Sequence, residues 1–218
     1  MKKEFLLSVI LLFVLAGNAL PQTADLDVQT FIEEAAVSYR SDFSLEAPLP
    51  VWENILDHPY LVGKLWEAYR FWPRYDVQKK GAGIHVLDPS RLEGDVLPLR
   101  KTRDGRVFYG TGRIHHWAVP EDTSGRVLFV FSHRAEQGRI LGRVEIYLAG
   151  DRDFARFLLK VGSFVLRHFI EKRFKNNLQD IQKILSGITE EPERIREKLR
   201  EEDRKEFERV FPRPLPSS

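Results

Sequence analysis

A chain of 218 residues, 43% hydrophobic and 30% charged, is long enough to bury one sizeable core and too apolar to be wholly disordered. Its 34 basic and 32 acidic side chains nearly cancel, so the charge balance gives no support to general nucleic-acid binding, which needs a basic face. The sequence contains no cysteine, which excludes disulfides, thiol nucleophiles and thiolate metal ligands.

The first residues, MKKEFLLSVILLFVLAGNALPQTA, place Lys2 and Lys3 before an apolar run from Phe5 to Ala16 and small residues at Gly17 and Ala19. This is the layout of a secretory signal peptide, residues 1–19, and predicts an exported protein, periplasmic or secreted after cleavage. The segment 20–36 follows, in which DLDVQTFIEEAA predicts a short helix with Thr30 and Glu33 as a capping box. Val37, Tyr39, Phe43 and Leu45 then alternate with polar residues and predict a first strand over 37–47. Between Pro48 and Pro73, apolar residues at helical spacing on both sides of Asp57-His58-Pro59 predict two short helices joined at a bend. Asp57-His58 resembles an acid–base pair, although such neighbours at a helix bend more often serve as caps.

From Tyr75 to Ala149 short alternating runs are punctuated by turn residues, with Arg103-Asp104-Gly105 a strong hairpin signal. They predict an antiparallel meander, giving about six or seven strands with the first one included. Both faces of VLFVF, residues 127–131, are apolar, so the face turned away from the core needs cover from the N-terminal segment, the C-terminal tail or a second subunit. Asp151 then opens a long amphipathic helix reaching about Leu185, with a bend or break expected near Lys175-Asn176-Asn177 because roughly 35 residues would extend ~52 Å. The charged segment 187–218 carries sparse apolar positions at Ile195, Leu199, Phe207, Val210 and Phe211, which predict a solvated helix lying on the body by a thin edge; a partner-binding arm is the alternative.

The order is strand, two short helices, meander, long helix. The stretch SLEAPLPVWENILDHPYLVGKLW and the closing helix together resemble the START-like superfamily, the helix-grip or Bet v 1-like fold that includes polyketide cyclases and lipid-transport proteins, over residues 37–186. The resemblance implies an α+β fold in which a curved antiparallel sheet wraps around the long C-terminal helix. It also implies capture of a lipid or other hydrophobic small molecule between them. The match contains no site motif, so it carries over no individual binding residue, no cofactor and no metal. A cyclase-like enzyme acting on an aromatic or polyketide-like substrate, using cavity histidines or Tyr109, is the alternative function, and a cell-envelope scaffold using the charged tail is a third. Transient contact with a membrane surface is compatible with a lipid ligand, and nothing in the sequence specifies an oligomeric state.

Strand alternation decides which residues would line such a cavity. On the strand around RIHHWAV, residues 113–119, adjacent His115 and His116 point to opposite faces and cannot share one metal ion. The glycine-bearing face of that strand suits a concave surface, which turns Phe108, Ile114 and His116 inward. By the same alternation and by helical spacing, Phe129, Ile146, Phe157, Val161 and Val165 complete the predicted wall, with His116, His133 and His168 as polar anchors. A three-histidine metal site finds no support in a local ligand pair.

Overall fold

The computed structural model describes residues 26–89, 92–114, 124–154, 156 and 163–212. Helix α1, Val28–Glu34, begins one turn earlier than the Thr30 pattern suggested. Asp27 is its cap, accepting from the Gln29 amide at 2.9 Å and from the Thr30 hydroxyl at 2.7 Å, so the shorter carboxylate takes the role given to Thr30 and Glu33. Strand β1, Val37–Glu46, leads through Pro48 into helices α2, Leu49–Asp57, and α3, Pro59–Ala68. His58 joins the two helices, and its Nδ1 lies 3.0 Å from the Asn54 carbonyl.

Six further strands follow: β2, Asp76–Lys80; β3, Gly83–Asp88; β4, Leu92–Thr102; β5, Gly105–Ile114; β6, Ser124–Glu136; and β7, Arg139–Gly150. They form one antiparallel sheet in the order β1-β7-β6-β5-β4-β3-β2, so β1 closes the meander by pairing with the last strand. Helix α4, Ser163–Glu190, lies against the sheet and packs on β1 and α2. It runs unbroken through Lys175-Asn176-Asn177, because Phe174, Leu178 and Ile181 on either side all pack into the core and override the weak helix preference of asparagine. A paired amide contact ties helix to sheet: Gln182 accepts from the Glu46 amide at 2.8 Å and donates to its carbonyl at 2.9 Å. A seven-stranded antiparallel sheet closed by one long helix, with two short helices after the first strand, is the helix-grip α+β architecture.

The sheet has two covered faces. The face toward α4 holds the main core, where Val127, Ile140, Leu61, Leu65, Ile184 and Leu185 are excluded from water, each contributing roughly 1.5–3 kcal/mol by burial. On the opposite face Val107, Tyr109, Leu128 and Ala149 are covered by α1, with Phe31 edge-on to Tyr109 at 6.0 Å between ring centres. The N-terminal segment therefore supplies the cover that the doubly apolar β6 required.

The charged C-terminal segment folds into two further helices, α5, Pro192–Lys198, and α6, Glu201–Val210. Ile195, Leu199, Phe207 and Val210 join the main core rather than forming a thin edge. The docking is polar as well: Tyr60 donates to Asp203 at 2.9 Å, Arg200 pairs with Glu67 at 2.9 Å, and Asn54 donates to the Val210 carbonyl at 3.2 Å. Among the described residues no helix is long and apolar enough to cross a membrane.

Candidate functional site

Strand register builds one wall of a cavity. Phe108 pairs with Phe129 across β5 and β6, and Phe129 pairs with Ile146 across β6 and β7, so the three side chains form a row on the face toward α4. The next row continues with Phe131 and Val144, and Phe131 meets Phe108 edge-on at 6.0 Å. Opposite them stand Trp52, Ile55, Leu56 and Trp66 from the two short helices, with Phe174, Leu178 and Ile181 from α4. Gly63 lets α3 approach β2: a Cβ there would stand 2.5 Å from a methyl of Val77. The space between them is about 360 Å³, within the range of small-molecule sites, and its walls are almost entirely apolar.

Polar groups border this space at two places. Tyr75, in the connection between α3 and β2, carries a hydroxyl that accepts a hydrogen bond from Arg173 of α4, whose guanidinium carbon also lies 5.6 Å from the tyrosine ring centre. Burial pushes the Tyr75 hydroxyl above its ordinary pKa, against the pull of Arg173 and with help from Asp88, so it stays protonated at neutral pH. Asn177, one turn beyond Arg173, lines the cavity and is also a hydrogen-bonding neighbour of this hydroxyl. Its Oδ1 is buried with no hydrogen-bond partner. The indole Nε1 of Trp52 is likewise buried and unpartnered, whereas that of Trp66 donates to the Pro73 carbonyl at 2.9 Å.

The sequence-predicted residues divide accordingly. Phe108, Phe129 and Ile146 line the cavity together. Ile114 ends β5 and Val165 lies in α4, but their side chains are outside the described part, as are His116, Phe157 and Val161 altogether. His133 shares the face of Phe129 and Phe131 but sits beyond the cavity, edge-on to the Trp52 ring at 6.2 Å and 3.9 Å from a Glu53 oxygen. Burial and the neighbouring Arg106 hold its pKa below the ordinary histidine value. His168 is exposed. At 3.6 residues per turn, two positions before buried Ile170 is about 200° round the helix, so His168 faces solvent while Ile170 and Phe174 face the sheet. Tyr109, the other acid–base candidate, is on the opposite face beneath α1.

Asp57 caps no helix here and instead forms ion pairs. It holds Arg106, which is only 4% exposed, by bonds of 2.6 and 3.1 Å, while Lys101 reaches the same carboxylate at 2.5 Å. Burial alone would raise the Asp57 pKa; the bonds from Arg106 and Lys101 outweigh it and hold the carboxyl below its ordinary range. On the outer sheet face, Arg143 pairs with Asp42 at 2.6 Å and Arg40 pairs with Glu145, as a solvated polar surface should. Among the described residues no cluster of three or more His, Asp or Glu could hold a metal ion. Tyr75 and Asn177 were missed because neither is a periodic signal by its type; the available clue was a polar residue occupying an apolar helix position between Phe174 and Ile181.

No family model and no curated protein matches the sequence. Among solved structures the chain is similar to a hypothetical protein from Helicobacter pylori, at 10% identity over 75% of this chain and 98% of that one, with a TM-score of 0.47. It is also similar to a protein from Arthrobacter aurescens, at 16% identity over 74% and 90% of the two chains with a TM-score of 0.45. Norcoclaurine synthase from Thalictrum flavum is similar at 8% identity over 73% and 98%, with a TM-score of 0.40. The helix-grip assignment rests on the observed strand order and the helix packed across the sheet.

Proposed function

We propose that this protein is an exported binding protein that holds a lipid or other hydrophobic small molecule between the sheet and α4. The observation that carries the reading is the cavity of about 360 Å³ whose walls are the Phe108–Phe129–Ile146 row and the apolar faces of α2, α3 and α4. Transfer of apolar ligand surface from water into such a site stabilises the complex by ~25 cal/mol per Å² before the cost of association. For the enzymatic alternative, Tyr109, His133 and His168 do not line the cavity, and His116 lies outside the described residues. Export rests on the N-terminal sequence pattern alone.

Native mass spectrometry of the chain purified from the envelope fraction of its own cells tests both parts. The expected result is a species lacking residues 1–19 that carries one apolar adduct, displaced stoichiometrically by phenylnaphthylamine. Ile146→Trp, which drives a larger ring into the cavity beside Phe129, should abolish dye uptake while leaving the circular dichroism spectrum unchanged. A wild-type protein that takes up neither adduct nor dye would overturn the binding reading, and an intact N-terminus on a cytoplasmic protein would overturn export.

A further inference from the structure

The loop between α3 and β2 holds a tryptophan out in water. We propose that residues 70–74 dock this protein on the surface of an anionic lipid bilayer, with Trp72 entering the headgroup layer and Arg70 and Arg74 meeting the lipid phosphates. The inference stands on the loop itself and does not require the cavity to be filled.

Alternation sets the loop in two rows. Phe71 turns inward, stacked on Tyr69 at 5.1 Å and edge-on to Trp66 at 5.3 Å. Pro73 is buried, its carbonyl accepting from Trp66 Nε1, and Tyr75 lines the cavity. Arg70, Trp72 and Arg74 are left on the outside, and all three are exposed. Arg70 closes α3 with left-handed backbone (φ 56°), which fixes where the chain leaves the helix. The exposure of Trp72 is therefore imposed by its well-packed neighbours. At 71% exposed, a side chain of this size leaves roughly 110–180 Å² in water. Leu87, 44% exposed, is the other exposed large apolar residue among those described. The β2–β3 register sets it opposite Asp76, where the loop enters the sheet.

The uncompensated charge around the ring is positive. Neither Arg70 nor Arg74 has an acidic partner among the described residues. Lys198 lines one surface groove with Arg70, lies over the Tyr69 ring at 4.6 Å and likewise has none. Neighbouring acids are taken: Glu67 by Arg200 and Lys64, Asp180 by Lys183, and Glu191 by Arg194. Asp76 is the one acid of residues 69–76, and its described contact is with Gln78.

A protein partner fits this surface poorly. A stable interface takes roughly 800 Å² from each side, several times what Trp72 and Leu87 offer. A bilayer needs less, because an indole lodges at the headgroup level and each cation near an anionic surface strengthens the attachment several-fold. Trp66 and Tyr75, on either side of the loop, both line the cavity, so the docked face lies beside it.

The test is sedimentation of the purified chain with vesicles of phosphatidylcholine, alone or mixed with phosphatidylglycerol. The mixed vesicles should bind roughly tenfold tighter at low salt, and the difference should shrink as salt rises. Removing both cations, Arg70→Gln with Arg74→Gln, should weaken that binding roughly fivefold for each. Trp72→Ala should weaken it by about tenfold or more. Brominated phosphatidylglycerol should quench tryptophan fluorescence in the wild type, and Trp72→Phe should lose that quenching. All three side chains are exposed, so the variants should melt as the wild type does. They also share its N-terminus, so any hold of residues 5–16 on the bilayer cancels in the comparison. Equal binding to the two vesicle types, variants that bind as the wild type does, or quenching unchanged in Trp72→Phe would each overturn the inference. So would self-association that Trp72→Ala abolishes in a chain that ignores vesicles, which would make the loop a contact between copies. None of these results alters dye uptake by the cavity, which is measured without vesicles.

Discussion

Replacing Asp57 by alanine removes the carboxylate that neutralises Arg106, and the cost can be worked from the contacts. The guanidinium donates to Asp57 twice, at 2.6 and 3.1 Å, and to the carbonyls of Thr102 and Gly105 at 2.9 Å each. After the substitution the two carbonyl bonds remain, but among the described residues a charge only 4% exposed keeps no closer carboxylate than Glu53 at 4.0 Å. Breaking a buried ion pair by removing one partner costs about 3–5 kcal/mol. The lower end applies, since the Asp57 side chain is 22% exposed and the Glu53 charge persists. The second partner, Lys101, is 66% exposed, and its release should cost little. With a urea m-value of about 2 kcal/mol per molar, a loss of about 3 kcal/mol lowers the unfolding midpoint by roughly 1.5 M. Adding Arg106→Leu should recover part of the loss, because the orphaned charge goes with it. A midpoint for Asp57→Ala within about 0.5 M of wild type, or a double variant whose loss equals the sum of the singles, would refute the account.

The buried His133 makes stability depend on pH. Its folded pKa is depressed by burial and by Arg106, against the opposing pull of Glu53 and Asp104, while the unfolded chain titrates near the ordinary ~6.5. The unfolded state then binds more protons as pH falls, so the histidine's contribution is fully present above about 6.5 and is lost progressively below it. Urea midpoints from pH 8 to pH 5 should fall more steeply for wild type than for His133→Gln, and equal slopes would count against the assignment. In the C-terminal segment, Phe207→Ala removes a ring with no solvent exposure that packs against Phe211 at 5.3 Å. It should cost about 3–5 kcal/mol and about 10 °C in melting temperature, whereas a detachable arm would tolerate it without a change in the melt.

The strands were legible in the sequence because period-two alternation is a property of each segment by itself. Val37, Tyr39, Phe43 and Leu45 could be read as one side of a strand without knowing their partners, and the register later showed them opposite Leu148, Ile146, Gly142 and Ile140. The same reasoning placed Phe108, Phe129 and Ile146 on one face, and antiparallel pairing then made them neighbours. Helix continuity at Lys175-Asn176-Asn177 was not legible, because a bend or break was expected from the length of the helix and the contacts of Leu178 and Ile181 that carry it through are tertiary. The C-terminal segment was misjudged for a related reason. Four apolar residues scattered over 195–210 look like a thin edge when written in a line, yet two short helices, one on each side of Leu199, turn all four into the same core.

The site shows how residue type can mislead where position would not. Histidines attract attention because their chemistry is versatile, but His168 lies about 200° from the buried side of its helix and His133 lies beyond the cavity, against Trp52. Asparagine at 177 looks unremarkable by type, and the same angular reasoning applied to it gives the opposite answer: three positions after Phe174 and four before Ile181, it sits on the buried stripe. A polar side chain on such a stripe must be satisfied by the fold or by something the fold encloses. The fold sets the Tyr75 hydroxyl beside Asn177, so the two polar groups sit together at one end of an otherwise apolar cavity.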